Sequence, residues 1–102
     1  MKFIYNVTIK VDWSITEEWL QWMKEVHMPE MIQTGCFENS RLLRLMEVDE
    51  SDGPTYAAQF TAPGKEEYNR YVTDFAEALR KKSYEIWGDR FIAFRSVMEV
   101  VH

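Results

Sequence analysis

Phe3, Tyr5, Val7, Ile9 and Val11 alternate with Ile4, Asn6, Thr8 and Lys10, a period of two that puts one set on each face of a strand. After Trp13 the period lengthens. Ile15, Trp19, Trp22, Met23 and Val26 fall on one side of a helix at i, i+3, i+4 and i+7, the stripe of a helix packed on a sheet, with His27 beside it. Ser14 or Thr16 is placed to cap this helix, and Glu17 and Glu18 in its first turn complement the dipole. Pro29 disfavours helical geometry at Met28 and has no N–H to donate, so the helix is expected to end or kink there. A short second turn would start at Pro29 and stop at Gly35.

Cys36 to Val48 reads as a long second strand, and the run DESDGP at 49–54 as a polar turn. Tyr56, Ala58 and Phe60 alternate with Ala57, Gln59 and Thr61 in a third strand closed by Pro63 and Gly64. From Lys65 one helix is expected to run to Gly88 with Tyr68, Tyr71, Val72, Phe75, Leu79 and Ile86 on its buried face, and Phe91–Val101 is the last strand. The order is βαββαβ. It predicts an α+β, ferredoxin-like protomer: an antiparallel four-stranded sheet with helices on one face, as a single domain over residues 1–102.

Two helices cover one side of such a sheet, so the other side decides whether the chain stands alone. In the last strand Ile92, Phe94, Met98 and Val100 form the more apolar set. Phe91, Ala93, Arg95, Val97, Glu99 and Val101, the set expected to stay uncovered, is still largely apolar. Burial against an identical copy about a two-fold axis is the usual answer, so a homodimer is expected.

Composition narrows the function classes. At 102 residues with 46% hydrophobic content, the chain buries on the order of two-thirds of its unfolded surface and needs no disulfide or structural metal. The single cysteine, Cys36, has no bridge partner and no cationic neighbour in the sequence; it reads as structural and points to a reducing cytoplasm. A net charge of −5 removes the phosphate attraction behind most nucleic-acid binding, and Arg80, Lys81 and Lys82 read as solvated helix charge. No signal peptide and no membrane-spanning run is expected; no nucleic acid or membrane partner follows.

The stretches WLQWMKEVHMPEMIQTGCF, DESDGPTYAAQF, YNRY and WGDRFIAFRSVMEVV resemble a family of roughly hundred-residue bacterial proteins catalogued as a domain of unknown function, within the dimeric α/β-barrel superfamily. The resemblance covers nearly the whole chain. It implies a ferredoxin-like protomer whose sheet packs on its partner's sheet. It does not imply a chemistry, because that superfamily holds cofactor-free monooxygenases, isomerases, haem-dependent enzymes and binding domains.

His27 is the only internal histidine and the candidate catalytic acid or base; the structural alternative is a helix-terminal group donating to free carbonyls. Asn6, Thr8, Gln59 and Arg95 each face away from the most apolar side of their strands, and are expected to converge. They would form a polar cluster in the dimer barrel, with Arg95 paired to Glu99 or Glu47, or orient a small anionic or carbonyl ligand. Trp19, Trp22 and Tyr68 are candidate pocket walls. His27 with Glu30 is too thin a ligand set for a metal, the acidic turn lacks the length of a calcium loop, and no cofactor motif is present.

Three functions follow. The first is a cytoplasmic homodimeric binding or accessory domain with an aromatic-lined pocket in each protomer. The second is a cofactor-free, monooxygenase- or isomerase-like enzyme on a small aromatic or carbonyl compound, with His27 moving a proton and Asn6, Gln59 or Arg95 stabilising negative charge. The third is a purely structural dimer.

Overall fold

The opening alternation becomes β1, Phe3–Val11, one of the two central strands of the sheet. The computed structural model describes residues 1–102. β1 pairs antiparallel with β3, Thr55–Ala62, setting Tyr5 opposite Phe60 and Asn6 opposite Gln59. It also pairs antiparallel with β4, Phe91–Glu99, setting Val7 opposite Arg95 and Thr8 opposite Phe94. β2, Asn39–Arg44, lies outside β3, so the sheet order is β2-β3-β1-β4. With its helices this is the expected βαββαβ ferredoxin-like arrangement.

β2 is shorter than the alternation from Cys36 to Val48 implies. Backbone bonds from Glu38 to Thr61 (2.8 Å) and from Leu45 to Thr55 (2.9 Å) extend its pairing by one residue at each end. Glu47 then takes a positive φ of 61° that turns the chain into the acidic loop. That loop folds back tightly on β1: a Cβ on Gly53 would lie 1.7 Å from the Val11 carbonyl oxygen, so only glycine fits.

The first helical segment departs from expectation in an instructive way. Asp12, not Ser14 or Thr16, caps it. Its carboxylate accepts from the Ser14 amide at 2.8 Å, closing a 3-10 turn over Trp13–Ile15, and the Thr16 hydroxyl donates to the Asp12 carbonyl at 2.9 Å. Then follow α1, Thr16–Trp22, a π turn over Met23–His27 and α2, Met28–Gln33, without interruption. Pro29 does not end this path; it widens it. In an α-helix its ring would meet the carbonyl four residues back; instead the Met28 amide reaches back five residues to Met23. The extra residue rotates everything after it. Val26, expected on the buried stripe, is exposed, and the inward line runs Trp19, Met23, His27, Met31.

The last helix also breaks. α3, Lys65–Asp74, and α4, Ala76–Trp87, meet at Phe75, whose φ of −127° is not helical. The stripe expected along one continuous rod is therefore split: Tyr71 and Ala76 are buried, while Val72 and Ile86 face solvent. Gly35 at φ 77° and Gly88 at φ 62° end α2 and α4 as expected.

The core lies between helices and sheet. Tyr56, Ala58, Phe60 and Ala62 of β3 all point into it and are buried. Tyr5 packs its ring within 5.3 Å of Tyr71 and within 6.2 Å of Phe37 and Phe60. The strand register settles which side of β4 is covered, and reverses the expectation. Phe91, Ala93 and Arg95 share the helix side with Val11, Ile9 and Val7, whereas Ile92, Phe94 and Met98 lie on the open side, where Phe94 is 69% exposed.

Candidate functional site

The π turn brings His27 against the sheet, and the space left there is a chamber of about 60 Å³ between helices and sheet. That is room for a few water-sized groups. β1 contributes Tyr5, Val7 and Ile9 to its floor, β3 contributes Ala58 and Phe60, and β4 contributes Phe91, Ala93 and Arg95. The first helical segment supplies Trp19, Trp22, Met23, His27 and Met31; α3 and α4 supply Tyr71, Leu79, Arg80 and Ser83. Thirteen of the seventeen lining residues are hydrophobic, which leaves His27, Arg80, Ser83 and Arg95 as the polar groups that would orient a ligand.

His27 stacks on Trp22 at 5.0 Å, and Trp22 meets the edge of Trp87 at 5.8 Å. Burial pushes the His27 pKa down from 6.5 to about 4, outweighing the opposite pull of Glu30. Lys82 adds a smaller downward push while holding both Glu30 oxygens at 2.8 and 2.9 Å. The imidazole is therefore neutral at pH 7. The Tyr5 hydroxyl accepts a hydrogen bond from Arg80 at 3.1 Å. Burial, reinforced by Tyr5, pushes the Tyr71 hydroxyl above its ordinary range, so the Tyr71 phenol stays protonated at neutral pH.

Of the residues expected to form the site, Trp19, Trp22, His27 and Arg95 line this chamber. The other three do not. Tyr68 packs on Tyr5 with ring centroids 6.0 Å apart and does not line the chamber. Asn6 and Gln59 lie on the open sheet face, so they do not converge with Arg95. There the Gln59 amide donates to Asn6 at 3.3 Å, the Asn6 amide donates to Thr8 and Ser96 at 3.1 and 3.4 Å, and Arg41 donates to Gln59 at 3.3 Å. Arg95 pairs with neither Glu99 nor Glu47. Arg80, expected as solvated helix charge, instead bonds a core tyrosine at the chamber wall. Cys36 has a cationic neighbour after all, the Arg70 guanidinium at 3.4 Å, although its thiol is fully buried. Ser83 and Arg80 carried no signal beyond their i, i+3 spacing on one helix face.

An antiparallel sheet with helices on one side defines a ferredoxin-like α+β protein, here with an apolar chamber between the two layers. Residues 2–101 match the family described as "Domain of unknown function (DUF4286)", and the chain belongs to that family. No curated protein matches its sequence. Among solved structures it is similar to a dimeric ferredoxin-like protein from an uncultured marine organism, at 8% identity and a TM-score of 0.77 over 99% of this chain and 96% of that one. It is also similar to SnoaB, a cofactor-independent oxygenase from Streptomyces nogalater, at 10% identity and a TM-score of 0.70 over 99% and 94%. A third is a protein described as of the "ethyl tert-butyl ether d (ethd) family" from Bacillus halodurans, at 10% identity and 0.70 over 97% and 99%. At these identities the likeness establishes the fold. No helix of the chain is long and apolar enough to cross a membrane.

Proposed function

We propose that the chain is a single-domain, homodimeric small-molecule-binding protein of the cytoplasm, holding one small aromatic or carbonyl ligand in the chamber of each protomer. The observation that carries this reading is an apolar space bordered by polar groups without partners: the His27 ring makes no hydrogen bond within the chain, nor do the side chains of Ser83 and Arg95. None of the three is sealed from solvent, so their donors and acceptors stay free for a ligand that enters the chamber. The dimer half of the reading rests on the bare apolar side of β4 and on the dimeric likeness of the marine protein. The cytoplasmic half rests on the unpaired Cys36.

The test is a thermal-shift titration with the neutral probes benzamide and acetophenone. Saturation at about 100 times Kd stabilises a binding protein by roughly 2.7 kcal/mol. Ala93→Leu, which fills the chamber from the β4 side, should abolish the shift. Equal shifts in wild type and Ala93→Leu would move binding elsewhere, and no shift with either probe would favour a purely structural dimer.

A second reading is a cofactor-free enzyme. It is favoured by one observation: His27, neutral and unbonded at the chamber wall, can accept a proton from a bound compound, with the arginines nearby to hold developing negative charge. SnoaB is a cofactor-independent oxygenase on the same fold. Loss of deuterium from methyl-deuterated acetophenone, faster than in buffer and abolished by His27→Gln, would support it. Exchange at the buffer rate would end it for this class of carbonyl substrate.

A further inference from the structure

The charge at the chamber mouth runs against the charge of the whole chain. The sequence carries a net −5, yet no aspartate or glutamate lines the chamber, and its two fixed charges are both guanidinium ions, Arg80 and Arg95. Neither forms an ion pair with a carboxylate. Elsewhere Lys2, Lys10, Arg44, Lys81 and Lys82 face acidic partners while Lys24, Arg41, Lys65, Arg70 and Arg90 do not, so what sets Arg80 and Arg95 apart is their place on the chamber wall. Arg80 spends one N–H on the Tyr5 hydroxyl and Arg95 makes no side-chain hydrogen bond, so donors remain on both.

The same two arginines also border an open groove of about 630 Å³ outside the chamber, together with Phe91 and Ala93. They therefore stand where the enclosed space meets solvent. Both also act electrostatically on the Tyr71 hydroxyl in the chamber wall. The groove's single acidic group, Glu85, is 3.9 Å from Lys81, a pairing that leaves the arginines unmatched.

Building on the chamber-binding reading above, we propose that the ligand is a small organic monocarboxylate, with its carboxylate held at the mouth by Arg80 and Arg95 and its apolar body inside. Arginine presents a planar fork that matches a carboxylate, and two of them beside low-dielectric walls strengthen that pairing. A phosphate would bring a second charge and further acceptors, and no backbone-amide nest or glycine-rich loop is present to meet them. The chamber admits a body of roughly four to six heavy atoms, on the scale of one ring.

The test compares benzoate with benzamide, its neutral isostere, and with inorganic phosphate, by isothermal titration on the intact dimer at low salt. Benzoate should bind at least tenfold tighter than benzamide. Arg95→Gln and Arg80→Gln should each weaken benzoate at least tenfold while leaving benzamide unchanged, and Arg95→Lys should restore only part of the loss. Both arginines are exposed, so these variants fold; Arg95→Gln in particular breaks no internal bond. Benzamide binding as tightly as benzoate, or indifference of benzoate to both glutamine variants, overturns the carboxylate inference and leaves the chamber reading intact. Phosphate competing as strongly as benzoate also overturns it. Benzoate binding that survives Ala93→Leu makes the arginines a surface anion site and overturns both readings, as does the binding of neither organic probe.

Discussion

Phe94→Glu should convert the proposed dimer into a folded 12.2 kDa monomer at concentrations up to roughly 10⁴ times the wild-type dimer dissociation constant. Phe94 stands on the open side of β4, opposite Thr8 of β1, and is 69% exposed in the protomer; it contributes almost nothing to its own core. On the same side lie Ile92 at 58% and Met98 at 42% exposure, and Leu43 of β2 at 39%. A patch of this kind on a sheet face is the surface a second copy covers. Burying a phenylalanine contributes roughly 1.5–3 kcal/mol, and a two-fold axis counts it twice. The variant also places a carboxylate in each half of a desolvated interface, which costs several kcal/mol more. The total exceeds about 5 kcal/mol, a shift of roughly 10⁴-fold in the dimer dissociation constant. Sedimentation velocity reads the mass, and Phe94→Leu is the control that keeps the dimer. A wild type that sediments as a monomer, or a Phe94→Glu protein that stays dimeric, would put the contact on another face. The side chains of Asn6, Thr8, Gln59, Ser96 and Arg41 hydrogen-bond one another on this face too, which lowers the cost of covering them.

The element order was legible because alternation and helical spacing are local properties, and the four strands occur where the periods put them. What the periods did not carry was the phase. A count at 100° per residue assumes 3.6 residues per turn throughout, and the π turn ahead of Pro29 adds one residue to the count. That insertion exchanges Val26 for His27 on the inward line. The spacing of Met23, His27 and Met31 at i, i+4 and i+8, with a proline between the last two, is the one sequence signal that would have placed the histidine inward.

Strand parity failed at β4 for a different reason. Both of its faces are apolar enough to be buried, so alternation alone does not choose between them; the pairing of Val7 with Arg95 does, and that is a long-range property. The consequence is large. Arg95 moves from the polar cluster of Asn6 and Gln59 to the chamber, and the open apolar sheet face moves from the Phe91 side to the Phe94 side. Arg80 was hidden in a run of three basic residues whose neighbours, Lys81 and Lys82, do form the solvated ion pairs such runs usually form. Its distinguishing partner, the Tyr5 hydroxyl, is 75 residues away in sequence.

The chamber's electrostatics make a prediction about stability that is independent of any ligand. Burial holds His27 near pKa 4 in the folded protein, against about 6.5 when unfolded. Above pH 6.5 both states carry a neutral ring and nothing is lost. Between pH 6.5 and 4 the unfolded chain binds the proton and the folded chain does not, so stability falls as the pH falls. Below pH 4 both states are protonated and the loss levels off at about 3 kcal/mol, from a shift of roughly 2.5 units at 1.36 kcal/mol each. Urea denaturation should show on the order of 1 kcal/mol of this loss at pH 5.5 and most of it by pH 4.5. Carboxylates titrate at the acid end of the same range, so the quantity to read is the difference between wild type and His27→Gln, whose amide carries no titration. Glu30 and Lys82 act on the ring in opposite directions, and Lys82→Met should raise the folded pKa and shrink the effect. Parallel stability curves for wild type and His27→Gln would mean a ring open to water, and a solvated imidazolium would then add a third cation to the chamber in mild acid. A divergence of the stated size leaves the two arginines as its only charges down to about pH 4, so carboxylate binding should be flat from pH 7 to about 5.5, above the range in which the ligand's own carboxylate takes up a proton.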